Sequence, residues 1–230
     1  MPTWEKLSED TVPLCASKSS YALGPSQTAL PGFPGAVGTQ VLLPPDYNPA
    51  EELRFITQIA RALLRVNGAL RYFNPNGETL HSAAFLKESI EYHEARAILP
   101  LEVWSNVRVL RFPQVEDWIA MDTVGMEQLG VADHEACFPS EAFDRGEVDH
   151  FLRNSTAYVL QNGPIIQDGD TMNGPGGMSW RAQSCDESLG PPPRDTLRWR
   201  PSQGVRPPAC FGFEETQQRE RGRWWQRWKK

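Results

Sequence analysis

Apolar residues recur every three or four positions over residues 143–162, and this stretch organises the reading of the rest. Val148, Phe151, Leu152, Ser155 and Val159 share one side of a 3.6-residue period, so one stripe faces a core. Asp144 stands at the cap with Glu147 three residues on, the spacing of a capping box. Phe143 and Val148 have the spacing of a hydrophobic staple. Gly163 suits the left-handed position after the last turn, and Pro164 cannot continue the helix. The pattern predicts a helix over 144–162, a short apolar strand, and an acidic turn at Gln167-Asp168-Gly169-Asp170-Thr171.

Upstream, residues 39–43 (TQVLL) read as a strand closed by Pro44-Pro45. Asn48 then caps a helix with Pro49 at its first position and Glu51 at its third. Leu53, Ile56, Ile59, Ala60, Leu63 and Val66 make its apolar stripe, and Gly68 ends it. Residues 69–73 read as a second strand, followed by a turn at Asn74-Pro75-Asn76-Gly77. Ser82 caps a helix to about residue 97, with Phe85, Leu86, Ser89, Ile90 and Tyr92 as buried candidates. Residues 106–112 and 117–121 alternate as a hairpin. A short helix at 125–129 and a loop through Cys137 lead into the long helix. Residues 178–183 read as an internal strand and 196–199 as a final edge strand. Helices and strands interleave around a hairpin, which predicts an α+β fold: a mixed, mainly antiparallel sheet with about three helices packed on one face.

Composition changes this picture at the ends. Residues 1–38 mix Ser, Pro and Gly without period, so a poorly ordered N-terminal segment is expected. A single domain is expected over 39–200. Residues 201–230 read as a flexible basic tail, with Arg219, Arg221, Arg223, Arg227, Lys229 and Lys230 around Trp224, Trp225 and Trp228. Basic residues interleaved with tryptophan suit contact with nucleic acid or an anionic membrane, but a disordered terminus explains them as simply. The net charge of −6 argues against a general nucleic-acid binder. Cys15, Cys137, Cys185 and Cys210 lack paired spacing, the signature of free thiols in a reducing compartment. The N-terminus lacks a signal-peptide pattern, and no run approaches the ~20 apolar residues of a membrane span. A cytoplasmic location is expected.

Three places are candidates for chemistry. Asp168 and Asp170 flank a glycine, so they suit a hard cation or an acid–base pair. Met172 and Ser179, however, stand where an EF-hand needs ligands, and Asp-Gly pairs are favoured in turns anyway. Asp122 and Thr123, at a strand end, suit a site or a cap for the short helix. His81, His93, His134 and His150 each lie near a carboxylate (Glu78, Glu94, Glu135, Asp149) without a zinc-binding arrangement. No nucleophile elbow, P-loop or dinucleotide fingerprint occurs, and Ser184 and Ser188 lack a nucleophile's context. No catalytic residue, metal ligand or cofactor is assigned.

The runs YFNPNGETL, LPLEVWSNVRVLRF, WIAMDTVGMEQLGVADHEACF, EVDHFLRNSTAYVLQNGPIIQDGDTM and WRAQSCDESLGPPPRDTLRW resemble the bacterial domain-of-unknown-function family 4261, over about residues 39–200. Asp122-Thr123 and Gly125 with Leu129-Gly130, and Asp168-Gly169-Asp170-Thr171 with Trp180-Arg181, carry the likeness most strongly. The resemblance implies a compact bacterial α+β domain and carries over no catalytic residues. Asp122, Thr123, Asp168, Asp170, Thr171, Trp180 and Arg181 are the candidate binding residues. The expected function is a non-catalytic module that binds another protein, of accessory or immunity type, since an acidic surface steers a basic partner. The alternative is a metal-dependent enzyme using Asp168 and Asp170, with His134 or His150 assisting.

Overall fold

The computed structural model describes residues 48–204 and 206–213. Cys15, the segment over 1–38, the strand expected over 39–43 and the tryptophan-rich cluster from Arg219 onward lie outside the described residues. The described residues group into two units, 48–109 with 123–129 and 110–122 with 130–204 and 206–213.

In the first unit, helix α1 (Pro49–Leu63) starts as the sequence dictates. The Asn48 side chain accepts from the Ala50 N–H at 3.0 Å, and Pro49 sits where a missing N–H loses no bond. Leu53, Thr57 and Ala60 are buried, whereas Val66 is 60% exposed. The expected stripe runs too far because the helix stops at Leu63 and the chain turns away through Gly68. Strands β1 (Arg71–Asn74) and β2 (Thr79–Ser82) pair antiparallel as a two-stranded sheet of their own. The Asn74 carboxamide oxygen accepts from the Asn76 and Gly77 N–H groups, which fixes the turn between them. Only glycine fits at Gly77, because a Cβ there would lie 1.9 Å from the Trp104 carbonyl oxygen.

Ser82 caps α2 (Ala83–Glu94), its hydroxyl accepting from the Phe85 N–H at 3.2 Å. Leu86, Ser89 and Ile90 are buried as expected; Phe85 and Tyr92 are not, at 40% and 51% exposed. The short α3 (Leu101–Trp104) seats Trp104 in the core, where its indole N–H donates to the Thr57 hydroxyl at 2.9 Å. A 3-10 turn at Met126–Leu129 completes this unit.

The larger sheet comprises β3 (Asn106–Arg111), β4 (Trp118–Val124), β5 (Asp133–Pro139), β6 (Thr171–Asn173), β7 (Ser179–Cys185) and β8 (Thr196–Pro201), in the order β3-β4-β5-β8-β7-β6. The pairings β4–β5, β7–β8 and β6–β7 are antiparallel, and β5 runs parallel to β8. The fold is α+β with a mixed, mainly antiparallel sheet, as the sequence implied. Three details differ. The loop expected through Cys137 is β5, a strand in the middle of the sheet. The strand expected at the edge, β8, lies between β5 and β7. The apolar strand expected after Pro164 does not form, and Ile165 is 49% exposed there.

Helix α4 (Arg145–Asn162) is the long helix of the sequence reading. The Asp144 carboxylate accepts from the Gly146 and Glu147 N–H groups, and Val148, Phe151, Leu152, Ser155 and Val159 are buried. Glu147 does not reach back to close a capping box; it accepts from the Gly176 N–H at 3.2 Å. On this side of the sheet an aromatic cluster fills the core. Phe151 meets Trp180 and Trp199 at ring separations of 5.4 and 5.2 Å, and Phe143 meets Trp180 at 5.1 Å. The opposite face holds a second apolar cluster of Trp118, Ala120, Cys137 and Phe211, flanked by Leu110, Phe112, Val115, Leu189 and Phe213. Phe211 is fully buried in this cluster.

Candidate functional site

The acidic turn is held by its own carboxylates. Asp170 accepts from the Gln167 N–H at 2.8 Å, closing the turn on itself. Asp168 accepts from the Ser184 N–H on β7. Backbone bonds from Gly169 N to the Ala182 carbonyl and from Ala182 N to the Asp170 carbonyl complete the seam. Thr171 opens β6 opposite Arg181 and is exposed. Among the described residues no group of three or more His, Cys, Asp or Glu side chains converges in a way that would hold a metal ion.

Asp122 lies inside β4, fully buried, and its carboxylate meets the Arg194 guanidinium at 2.6 Å. Arg194 also reaches Asp133 at 2.8 Å and donates to the carbonyls of Gly190 and Pro192. One guanidinium thereby pins the proline-rich loop to two strands. One pleat along the same face, Glu135 meets Arg198 at 2.7 Å and accepts from the Leu189 N–H and the Thr196 hydroxyl. Arg198 donates in turn to the carbonyls of Phe211 and Glu187. Glu135 stands out in the sequence only as the carboxylate beside His134; Asp133 and Arg198 show only as period-two spacing within DHEACFP and TLRWRP, and Arg194 carries no sequence signal. Thr123, the residue after Asp122, is buried within the first unit.

Trp180 is core and Arg181 is half-buried, on the opposite face of β7. The Trp180 indole N–H donates to the Pro175 carbonyl at 3.3 Å. His134 is likewise interior. Its Nδ1 meets the Ser155 hydroxyl at 2.8 Å and the Trp199 indole N–H at 3.3 Å. Burial pushes this imidazole down to about 3, and it is neutral at pH 7. Beside it lies a void of about 20 Å³ walled by Val159, Ile166 and Leu197, room for roughly one water. His150 is exposed on α4.

In the first unit, α2 and α3 frame an open groove of about 440 Å³ lined by Phe85, Glu88, Ser89, Tyr92, His93 and Glu102. Ser89 and His93 stand one helical turn apart and share Glu102. The Ser89 hydroxyl donates to one carboxylate oxygen at 2.5 Å, and His93 Nε2 lies 3.3 Å from the other. His93 Nδ1 meets the Ser89 carbonyl at 2.7 Å, and a carbonyl can only accept. That nitrogen therefore carries a proton and cannot take one from the serine hydroxyl, so the trio is not a nucleophilic relay. At the groove's end His81 stacks on Phe85 at 4.6 Å, and burial pushes it down to about 4, against hydrogen bonds to the backbone of Val103 and Glu102 and the Glu102 charge, which favour protonation. The sequence placed Phe85, Ser89 and Tyr92 in the core. The signal it held for the groove was the Ser89–His93 spacing of four residues.

A family model described as Domain of unknown function (DUF4261) matches residues 122–200, from Asp122 in β4 to Arg200 in β8. The match is to the family the sequence resembles, over a shorter span than 39–200, and it encloses the Arg194 and Arg198 network. No curated protein and no solved structure matches the chain.

Proposed function

Residues 122–200 belong to the DUF4261 family, and with that as premise we propose that the chain is a non-catalytic protein-binding module whose partner presents a basic, partly apolar segment to the groove of α2 and α3. The groove itself carries this reading. Phe85 and Tyr92 offer apolar walls at 40% and 51% exposure, and Glu88 and Glu102 supply negative charge between them. Aromatic side chains beside carboxylates suit a Lys or Arg whose stem packs while its head pairs. The net charge of −6 adds steering toward such a segment. By contrast Asp168 and Asp170, the carboxylates an enzyme would need, are bonded to backbone N–H groups. Cys137, Cys185 and Cys210 are free thiols, which supports a cytoplasmic setting and an accessory or immunity-type role there.

Fluorescence anisotropy with a labelled Lys/Leu peptide and a Glu/Leu control tests this. The basic peptide binds in a salt-sensitive manner and the acidic one does not. Glu88→Lys, at an exposed position, weakens binding about fivefold to tenfold, as expected for roughly 1 kcal/mol per exposed charge contact. Equal affinity for both peptides, or none lost in Glu88→Lys, would reject the groove as the docking place.

A further inference from the structure

The face of the large sheet turned away from α4 carries a row of charges whose pairing stops partway along. At β4 and β5, Asp122, Asp133 and Glu135 are matched by Arg194 and Arg198. Two residues further on, Arg200 of β8 stands directly opposite Arg181 of β7. Residues facing each other across an antiparallel pair have Cβ atoms roughly 4.5–5.5 Å apart, and like charges there are destabilising. Neither guanidinium forms an ion pair with a carboxylate of the described residues. Arg206 adds a third positive charge. The Arg200 pKa is held below the usual arginine range, first by burial and then by the charges of Arg181 and Arg206. The Arg200 guanidinium lies 5.5 Å from the Phe213 ring centroid, which limits its freedom to swing into solvent. Thr171 pairs with Arg181 from the other side, and the alternation of the strands puts its hydroxyl on the same face.

A chain of net charge −6 that sets Arg181 against Arg200, with no carboxylate of the described residues paired to either, has built a local positive field against its overall charge. We propose that Arg181 and Arg200, with Thr171 alongside, form a binding site for a phosphoryl group. Planar guanidinium forks match the oxygen pairs of a phosphate dianion, and two facing forks hold it better than either alone. The bound anion relieves the repulsion between Arg181 and Arg200. A free phosphate ester and a phosphorylated peptide share this chemistry.

The full chain is titrated with pyrophosphate at constant ionic strength, following the melting temperature and the heat of binding. The wild type gives a saturable rise that chloride does not reproduce. Arg181→Gln has two signatures of opposite sign: without anion it melts higher than wild type, because the like-charge contact is gone, and its pyrophosphate affinity falls at least about tenfold. Displacement of pyrophosphate by a phosphoserine peptide at lower concentration than by phosphoserine itself assigns the source to a protein; the reverse assigns it to a small ester. The proposal is overturned if pyrophosphate gives no saturable response, or if Arg181→Gln binds as wild type. A lower anion-free melting temperature in Arg181→Gln also overturns it. So does a response that emerges only in Glu214→Gln/Glu215→Gln, which would assign the arginines to the two glutamates that follow Phe213 in the sequence.

Discussion

Replacing Arg198 by methionine keeps most of the side chain's length and removes its charge, and the structure gives the size of the effect. Arg198 is 4% exposed and donates three bonds: to Glu135 at 2.7 Å, to the Phe211 carbonyl at 2.6 Å and to the Glu187 carbonyl at 2.8 Å. Glu135, fully buried, keeps the Leu189 N–H and the Thr196 hydroxyl but loses the cation that faces it in Arg198. Breaking a buried pair from one side leaves an uncompensated charge, a loss of about 3–5 kcal/mol. Removing the charge on the other partner as well, in Glu135→Gln/Arg198→Met, returns about 1–3 kcal/mol of that loss as a coupling energy. Urea denaturation followed by tryptophan fluorescence measures both, since Trp199 is the next residue on β8. A loss below about 1 kcal/mol in Arg198→Met, or strict additivity in the double variant, would refute the view that this pair ties the 187–211 segment to the sheet.

Two further outcomes are expected. Gly174→Ala destabilises by about 1–3 kcal/mol, because a Cβ there would meet Trp180 Cδ1 at 2.6 Å and Phe151 at 3.1 Å in a filled aromatic cluster; a thermal melt with near-ultraviolet circular dichroism measures it. His134 stays neutral when folded, down to about pH 3, while the unfolded chain takes up its proton near 6.5, so the unfolded state binds more protons in between. Stability should therefore fall as pH drops from 6.5 toward 3, by up to about 1.4 kcal/mol per pH unit from this group, and His134→Gln should flatten the wild-type slope.

What the sequence made legible follows from where its polar residues point. The caps of α1, α2 and α4 were readable because Asn48, Ser82 and Asp144 act on N–H groups two or three residues away. The stripe of α4 was readable because its buried face is apolar apart from Ser155 and Thr156. β5 was not, since Asp133, His134 and Glu135 are polar by type yet buried, and they find partners as far as 65 residues along the chain. A pattern that equates polar with exposed turns such a strand into a loop. β8 read as an edge for the same reason: Arg198 and Arg200 look solvent-facing, while Arg198 is interior. The acidic turn at 167–171 was identified as a turn correctly, but its carboxylates were weighed for chemistry. Which backbone N–H group Asp168 reaches depends on a strand more than a dozen residues downstream. The groove beside His93 was missed because Phe85 and Tyr92 are large apolar residues on a helix, and nothing local distinguishes a wall from a core.

The parallel register of β5 and β8 carries a consequence for synthesis. Asp133 aligns with Thr196 and Ala136 with Trp199, so one long side of β5 has no neighbour until more than sixty further residues have been made. A growing chain that has released β4, β5 and α4 from the ribosome still presents a bare row of amide and carbonyl groups, the template on which foreign strands add. Its maturation is therefore gated by delivery of the segment around Trp199, and nascent chains stalled between α4 and that point are the species a chaperone has to shield.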